Sequence, residues 1–275
     1  MENYDDYLQL AREDIEHSLE VWKSLLINEF SDKIDYIYAK GSAVKPWQSP
    51  FDYVPILSDI DIHIMLKKNK SLFCNGLNAF KKSLEISEKY ERIFTKKFPN
   101  TLHLPRTQLV IINHLLKSLD YIPPRSNDVK IVYGDPVFPS IPKPHIIREI
   151  DFKKLLELHD TVERIPINLI DRTGIDYWVL IRRINWQVSP TPIRVLTQVL
   201  DTSPDEIWSW NRTKLINELE NQGYVELTNH YKQYYLAGWK AFLAEYQDPQ
   251  TFREVIYYGY HVLITSLEIV QELKR

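Results

Sequence analysis

The 275-residue sequence predicts an α+β first half followed by an all-α second half. Three observations carry this. Alternating apolar runs occur before residue 140 and no convincing one follows it. Pro139, Pro142 and Pro144 interrupt any regular element between the halves, and beyond them helix-start and helix-stop signals recur. The expected domains are 1–140 and 145–275.

Tyr4, Leu8, Ala11, Ile15, Leu19, Trp22 and Leu26 fall at three- and four-residue steps, which predicts an amphipathic helix over Asn3–Phe30. Asp35–Lys40 is rich in β-formers and runs into Gly41, while Ser58–Leu66 sets Ile60, Ile62 and Ile64 in strict alternation; both read as strands. Between them, Ala43–Leu57 contains Pro46, Pro50 and Pro55 and is expected to be a loop. A second helix is expected over Ser71–Lys97. Two more strands are expected over Thr107–Ile112 and Asp128–Tyr133, the last ending in a Gly134-Asp135-Pro136 turn. In the second half, Ser203-Pro204-Asp205-Glu206 reads as a capping box, Gly223 as a helix C′ residue and Asp248-Pro249 as the start of a final helix. Its aromatics, Trp178, Trp186, Trp208, Trp210, Trp239 and two tyrosine pairs, read as bundle core, with an aromatic ligand pocket as the alternative.

Composition excludes several classes. Hydrophobic residues at 44% and charged residues at 26% do not suit a disordered, collagen-like or coiled-coil chain. The single Cys74 excludes an internal disulfide and a cysteine-rich metal site, and without a histidine nearby it has little weight as a nucleophile. His159–Glu163 lacks zinc-site spacing. A net charge of -3 gives no global positive field for nucleic acid or anionic lipid, so any polyanion site is local. Met1–Asp14 is acidic, without the apolar core of a signal peptide, and Val255–Leu267 is too short to span a bilayer. A cytoplasmic protein without a membrane partner is expected.

The chemistry concentrates in Lys40–Leu66. A period of two sends Asp59, Asp61 and His63 to one face of a strand and Ile60, Ile62 and Ile64 to the other. Two carboxylates roughly 6.5 Å apart at Cα repel unless a positive charge lies between them, and a divalent ion answers that need. Gly41-Ser42, at the end of the preceding strand, offers a close backbone approach, amide donors and a hydroxyl to a phosphate, with Lys45 near enough to add charge. His63 and Arg106 are weaker candidates: the first reads as a packing, surface or supporting group, the second as a phosphate contact or a surface charge.

The ordered combination Gly41-Ser42, connector, Asp59-Ile60-Asp61 resembles the nucleotidyltransferase superfamily that includes DNA polymerase beta, the CCA-adding enzymes, poly(A) polymerases and aminoglycoside nucleotidyltransferases. The resemblance covers roughly residues 35–136 and is of the bacterial and archaeal two-domain kind. It implies a mixed sheet with flanking helices followed by a helical domain. It also implies Gly41 and Ser42 on the triphosphate of an NTP co-substrate, beside which Lys45 is expected to add charge, and Asp59 and Asp61 as catalytic acids holding Mg²⁺ or Mn²⁺ while an acceptor hydroxyl attacks the α-phosphate.

Two features depart from that pattern. The connector is long, and its Trp47, Phe51 and Tyr53 are available either as a flap beside the nucleotide or as packing that holds the loop down. The third family carboxylate aligns with Gln108, a possible metal ligand without charge; Asp128, Glu85 or a substrate phosphate are the candidate substitutes. The expectation is nucleotidyl transfer to an unidentified small molecule, protein or RNA. The alternatives are a catalytically weakened nucleotide-binding or regulatory module, and RNA 3′-end addition. The acceptor is expected to be walled by helices Asp176–Gln187 and Ile207–Leu219.

Overall fold

The computed structural model describes residues 4–73, 75–171 and 173–273. Cys74 lies outside them. The chain is mixed α+β, with a four-stranded mixed sheet, flanking helices and a C-terminal helical region. It divides into two compact units, Met1–Lys45 with Ser58–Ser140, and Pro46–Leu57 with Ile141–Arg275. No helix among the described residues is long and apolar enough to cross a membrane.

The first unit runs α1 (Asp5–Phe30), β1 (Ile34–Lys40), β2 (Ile60–Leu66), α2 (Leu77–Lys97), β3 (Thr107–Ile111), α3 (Ile112–Leu115) and β4 (Lys130–Tyr133). Strand order is β3-β2-β1-β4. β1 runs antiparallel to β2 and to β4, and β2 runs parallel to β3. Ile60, Ile62 and Ile64 are fully buried, as their alternation requires. Helix α1 meets α2 where Trp22 stacks on Tyr90 at 4.6 Å, and the Tyr90 hydroxyl bonds Ser18 at 2.8 Å and the Pro105 carbonyl at 3.0 Å.

Several expected boundaries move: β2 begins at Ile60 rather than Ser58, leaving Asp59 outside it, and β3 ends at Ile111, where α3 takes over. Helix α2 begins at Leu77 rather than Ser71, because Gly76 takes φ +82°, a conformation no helix contains. β4 begins at Lys130 because Ser126–Asp128 forms a 3₁₀ turn, tied by the 2.8 Å ion pair of Arg125 and Asp128.

The second unit contains α4 (Pro144–Leu156), α5 (Leu158–Ile170), α6 (Tyr177–Val188), α7 (Thr191–Val199), α8 (Pro204–Ser209), α9 (Arg212–Asn221), α10 (Val225–Leu243) and α11 (Pro249–Leu273). The helix expected over Ile207–Leu219 is broken at Trp210-Asn211, where Asn211 caps α9 by accepting from the Lys214 N–H at 2.9 Å. The capping box does not close, since the Ser203 hydroxyl donates to Asp205 instead of accepting a backbone N–H. Gly223 ends α9 at φ +80°, with Tyr224 N–H on Leu219 O and Gly223 N–H on Glu220 O, a Schellman pair.

The connector between β1 and β2 is not a flap. Its central part, residues 46–57, belongs to the helical unit: Tyr53 is fully buried and stacked on Trp47 at 4.6 Å. Buried Asp52 accepts from the N–H groups of Gln48 (2.7 Å), Ser49 (3.2 Å) and Thr213 (2.9 Å) and from the Thr213 hydroxyl (2.7 Å). Arg212 donates to the carbonyls of Phe51 and Asp52, Trp239 to Pro50 and Asn185 to Leu57. Gly238 lets the strap approach α10, since a Cβ there would lie 2.7 Å from Leu57 Cδ1.

Candidate functional site

The site is built at one end of β1 and β2. β1 ends at Lys40, and Gly41 follows at φ +86°, turning the chain into 42–45, where the N–H groups of Val44 and Lys45 return to the Gly41 carbonyl at 3.2 and 3.3 Å. Helix α1 fixes this turn from outside. Arg12 donates one guanidinium nitrogen to the Ala43 carbonyl at 2.7 Å and the other to the Lys45 carbonyl at 2.9 Å. A rigid fork suits two carbonyls side by side in a way that a lysine cannot.

Asp59 precedes β2 and Asp61 lies within it. A Cβ on Gly41 would stand 2.9 Å from Asp61 Oδ2, so the glycine turn and this carboxylate are in contact. Register pairs Asp61 with Lys40 on one side and with Gln108 on the other. Gln108 is exposed and, as its alignment implies, faces the acid from β3. Asp59 is held by Arg106, Nη2 to Oδ2 at 3.3 Å, and Arg106 in turn receives the Ile60 N–H on its carbonyl.

The electrostatics follow from burial and like charge. Burial, and then the nearby Asp59 carboxylate, push the Asp61 acid up to about 6, against the opposing pull of Lys40 and Arg106. Two carboxylates with hard oxygen donors, an amide side chain opposite and a hydroxyl on Ser42 fit Mg²⁺ or Mn²⁺, and a dication would relieve the repulsion that raises Asp61.

Other candidates take different places. His63 shares the acidic face by alternation but not its exposure. It is 3% exposed, with its Nδ1 at 3.1 Å from the Tyr38 hydroxyl beside a cluster of Tyr36, Tyr38 and Ile112, and burial pushes it down to about 3. It is a neutral packing group. Glu85 is committed to Lys82 and Lys89 on α2. Asp128 is committed to Arg125 ahead of β4, a strand that β1 separates from β2. Neither adjoins Asp61 in the sheet. His159, Asp160 and Glu163 bring ligand atoms within 4.8 Å of one another, but all three are exposed neighbours on α5. Sequence reasoning missed Arg12 and Lys40. Arg12 carries no local signal, and the partner of Lys40 depends on a register that the long connector hides.

No protein-family model, curated protein or solved structure matches the chain.

Proposed function

We propose that this protein is a metal-dependent nucleotidyltransferase that moves a nucleoside monophosphate from an NTP to an acceptor and releases pyrophosphate. One observation carries the reading: the glycine turn at Gly41 stands against Asp61, one of two acids that suit a divalent ion. Mg²⁺ or Mn²⁺ held by Asp59 and Asp61 would supply charge neutralisation on the phosphates and activation of the attacking oxygen. The chain's own groups do the positioning. Gly41 and Ser42 receive the phosphates with Lys45 adding charge, Arg12 keeps their turn rigid, and Arg106 orients Asp59. The acceptor is a small molecule, protein or RNA.

A second reading, a nucleotide-binding module without turnover, is favoured by Gln108, which puts a neutral amide where a third acid would tighten the metal. Calorimetry of ATP, GTP, CTP and UTP with Mg²⁺ and with EDTA, followed by single-turnover assays of Asp59→Asn, Asp61→Asn and Gln108→Asp, tests both. Transfer expects metal-dependent binding and loss of turnover in the two asparagine variants. The module expects the same binding, no turnover in the parent, and gain only in Gln108→Asp. Equal NTP binding in EDTA, or full activity in both asparagine variants, overturns the assignment.

A further inference from the structure

We infer that the helical unit carries a separate binding cleft for an aromatic carboxylate, walled by α5, α10 and α11. The cleft has a volume of about 600 Å³, within the roughly 300–1,000 Å³ usual for small-ligand sites. Its lining is mostly apolar: Ile165, Pro166 and Leu169 form one wall, and Tyr257 and Tyr260 offer ring surface. Tyrosine rings in such walls favour a flat partner, because offset and edge contacts add to area burial.

The charges select the rest of the ligand. Lys240 is matched by Glu254, Nζ to Oε2 at 3.3 Å, so that pair contributes little net charge. Arg253 is different. Its guanidinium sits 5.2 Å from the centre of the Tyr177 ring, and among the described residues no carboxylate pairs with it. A solvent-exposed guanidinium lining the cleft, with no carboxylate partner among the described residues, favours one anionic group, and its planar fork fits a carboxylate with two parallel hydrogen bonds. A cationic ligand is disfavoured twice, since Arg253 already covers the Tyr177 face and would repel it. A phosphate dianion would bring a second negative charge beside Glu254. A planar monoanion remains, and nothing in this argument depends on the nucleotide reading.

The full-length chain titrated with 2-naphthoate tests the assignment, alongside 2-naphthalenemethanol (same rings, no charge), cyclohexanecarboxylate (same charge, no aromatic ring) and ATP. Saturable one-to-one binding of naphthoate is expected, with the alcohol about tenfold weaker, the scale of one charged hydrogen bond, and the cyclohexane acid about tenfold weaker through lost ring contact and apolar area. Arg253→Gln should weaken naphthoate about tenfold and leave the alcohol unchanged. Leu169→Trp, which fills the cleft, should abolish both. Asp59→Asn and Asp61→Asn should leave naphthoate binding intact, separating this site from the nucleotide site. Equal affinity for naphthoate and its alcohol overturns the proposal, as does wild-type affinity in Arg253→Gln or no saturable binding to a chain with a normal thermal transition. ATP displacing naphthoate also overturns it.

Discussion

Gly41, just past the end of β1, stands against Asp61 of β2: a Cβ at position 41 would lie 2.9 Å from an Asp61 carboxylate oxygen, on a backbone already at φ +86°. The glycine is required twice, once by its dihedral and once by its neighbour. Geometry of this kind couples the turn to the acid, so a change in either should be felt by the other.

Gly41→Ala is expected to cost about 1–2 kcal/mol of stability from the left-handed conformation, with a further contribution from the contact with Asp61. A double-mutant cycle with Asp61→Ala isolates that contribution. Urea denaturation should show the double variant more stable than the sum of the singles predicts. Strict additivity would mean that the turn relaxes away from the acid.

Removing Arg12 should loosen the same turn from the opposite side. Arg12→Ala deletes two charge-assisted hydrogen bonds to the carbonyls of Ala43 and Lys45, worth about 1.5–3 kcal/mol each before screening at a half-buried site. Hydrogen exchange should accelerate at the amides of residues 42–45 far more than in β1. Arg12→Lys should recover only part of the protection, since one ammonium cannot match the fork.

In the helical unit, Asp52 accepts four hydrogen bonds while 2% exposed. Asp52→Ala strands those donors and should lower stability by about 3 kcal/mol or more, whereas Asp52→Asn, which keeps one acceptor oxygen, should cost less. Thermal melts of both variants decide it. Near-equal losses would show that the strap is held by Tyr53 and Trp239 rather than by the carboxylate.

Asp151 gives a pH prediction. It is fully buried on α4, accepts from Thr197 Oγ1 at 3.0 Å and Trp208 Nε1 at 3.1 Å, and burial pushes it up to about 6 despite these donors and the pull of Arg194. A raised carboxylate is penalised when ionised. Its contribution to stability is therefore greatest below the unfolded value of 3.8, declines as pH rises and is lost above about 6, by up to about 3 kcal/mol. Asp151→Asn lacks this titration. The stability of the parent relative to Asp151→Asn should fall between pH 4 and pH 7; a flat difference would show that Asp151 titrates normally.

The sequence by itself determined the elements that obey a local signal: the α1 stripe, the buried isoleucines of β2 and the stop at Gly223. It also showed a glycine closing one strand and an acid-apolar-acid stretch after it, because these are local patterns. Where local signals compete, the reading misplaced boundaries. Gly76 delays α2, and Ser203 bonds Asp205 rather than capping its helix.

Only the tertiary structure decided the rest, because it depends on contacts between residues far apart in sequence. The register that sets Lys40 and Gln108 on either side of Asp61 comes from pairing across a long connector and a whole helix. Arg12 reaches its turn from 31 and 33 residues away, and Thr213 meets Asp52 across 161. His63 has the alternation of an exposed residue, yet Tyr38 and its neighbours bury it. The loop of residues 46–57 reads as irregular chain because prolines forbid a regular element, and no local pattern states that its polar backbone will be satisfied by Arg212, Asn185 and Trp239 of the helical unit. A one-dimensional period reports how a segment is exposed to its own neighbours. Which distant side chains arrive to complete it is settled only when the chain has packed.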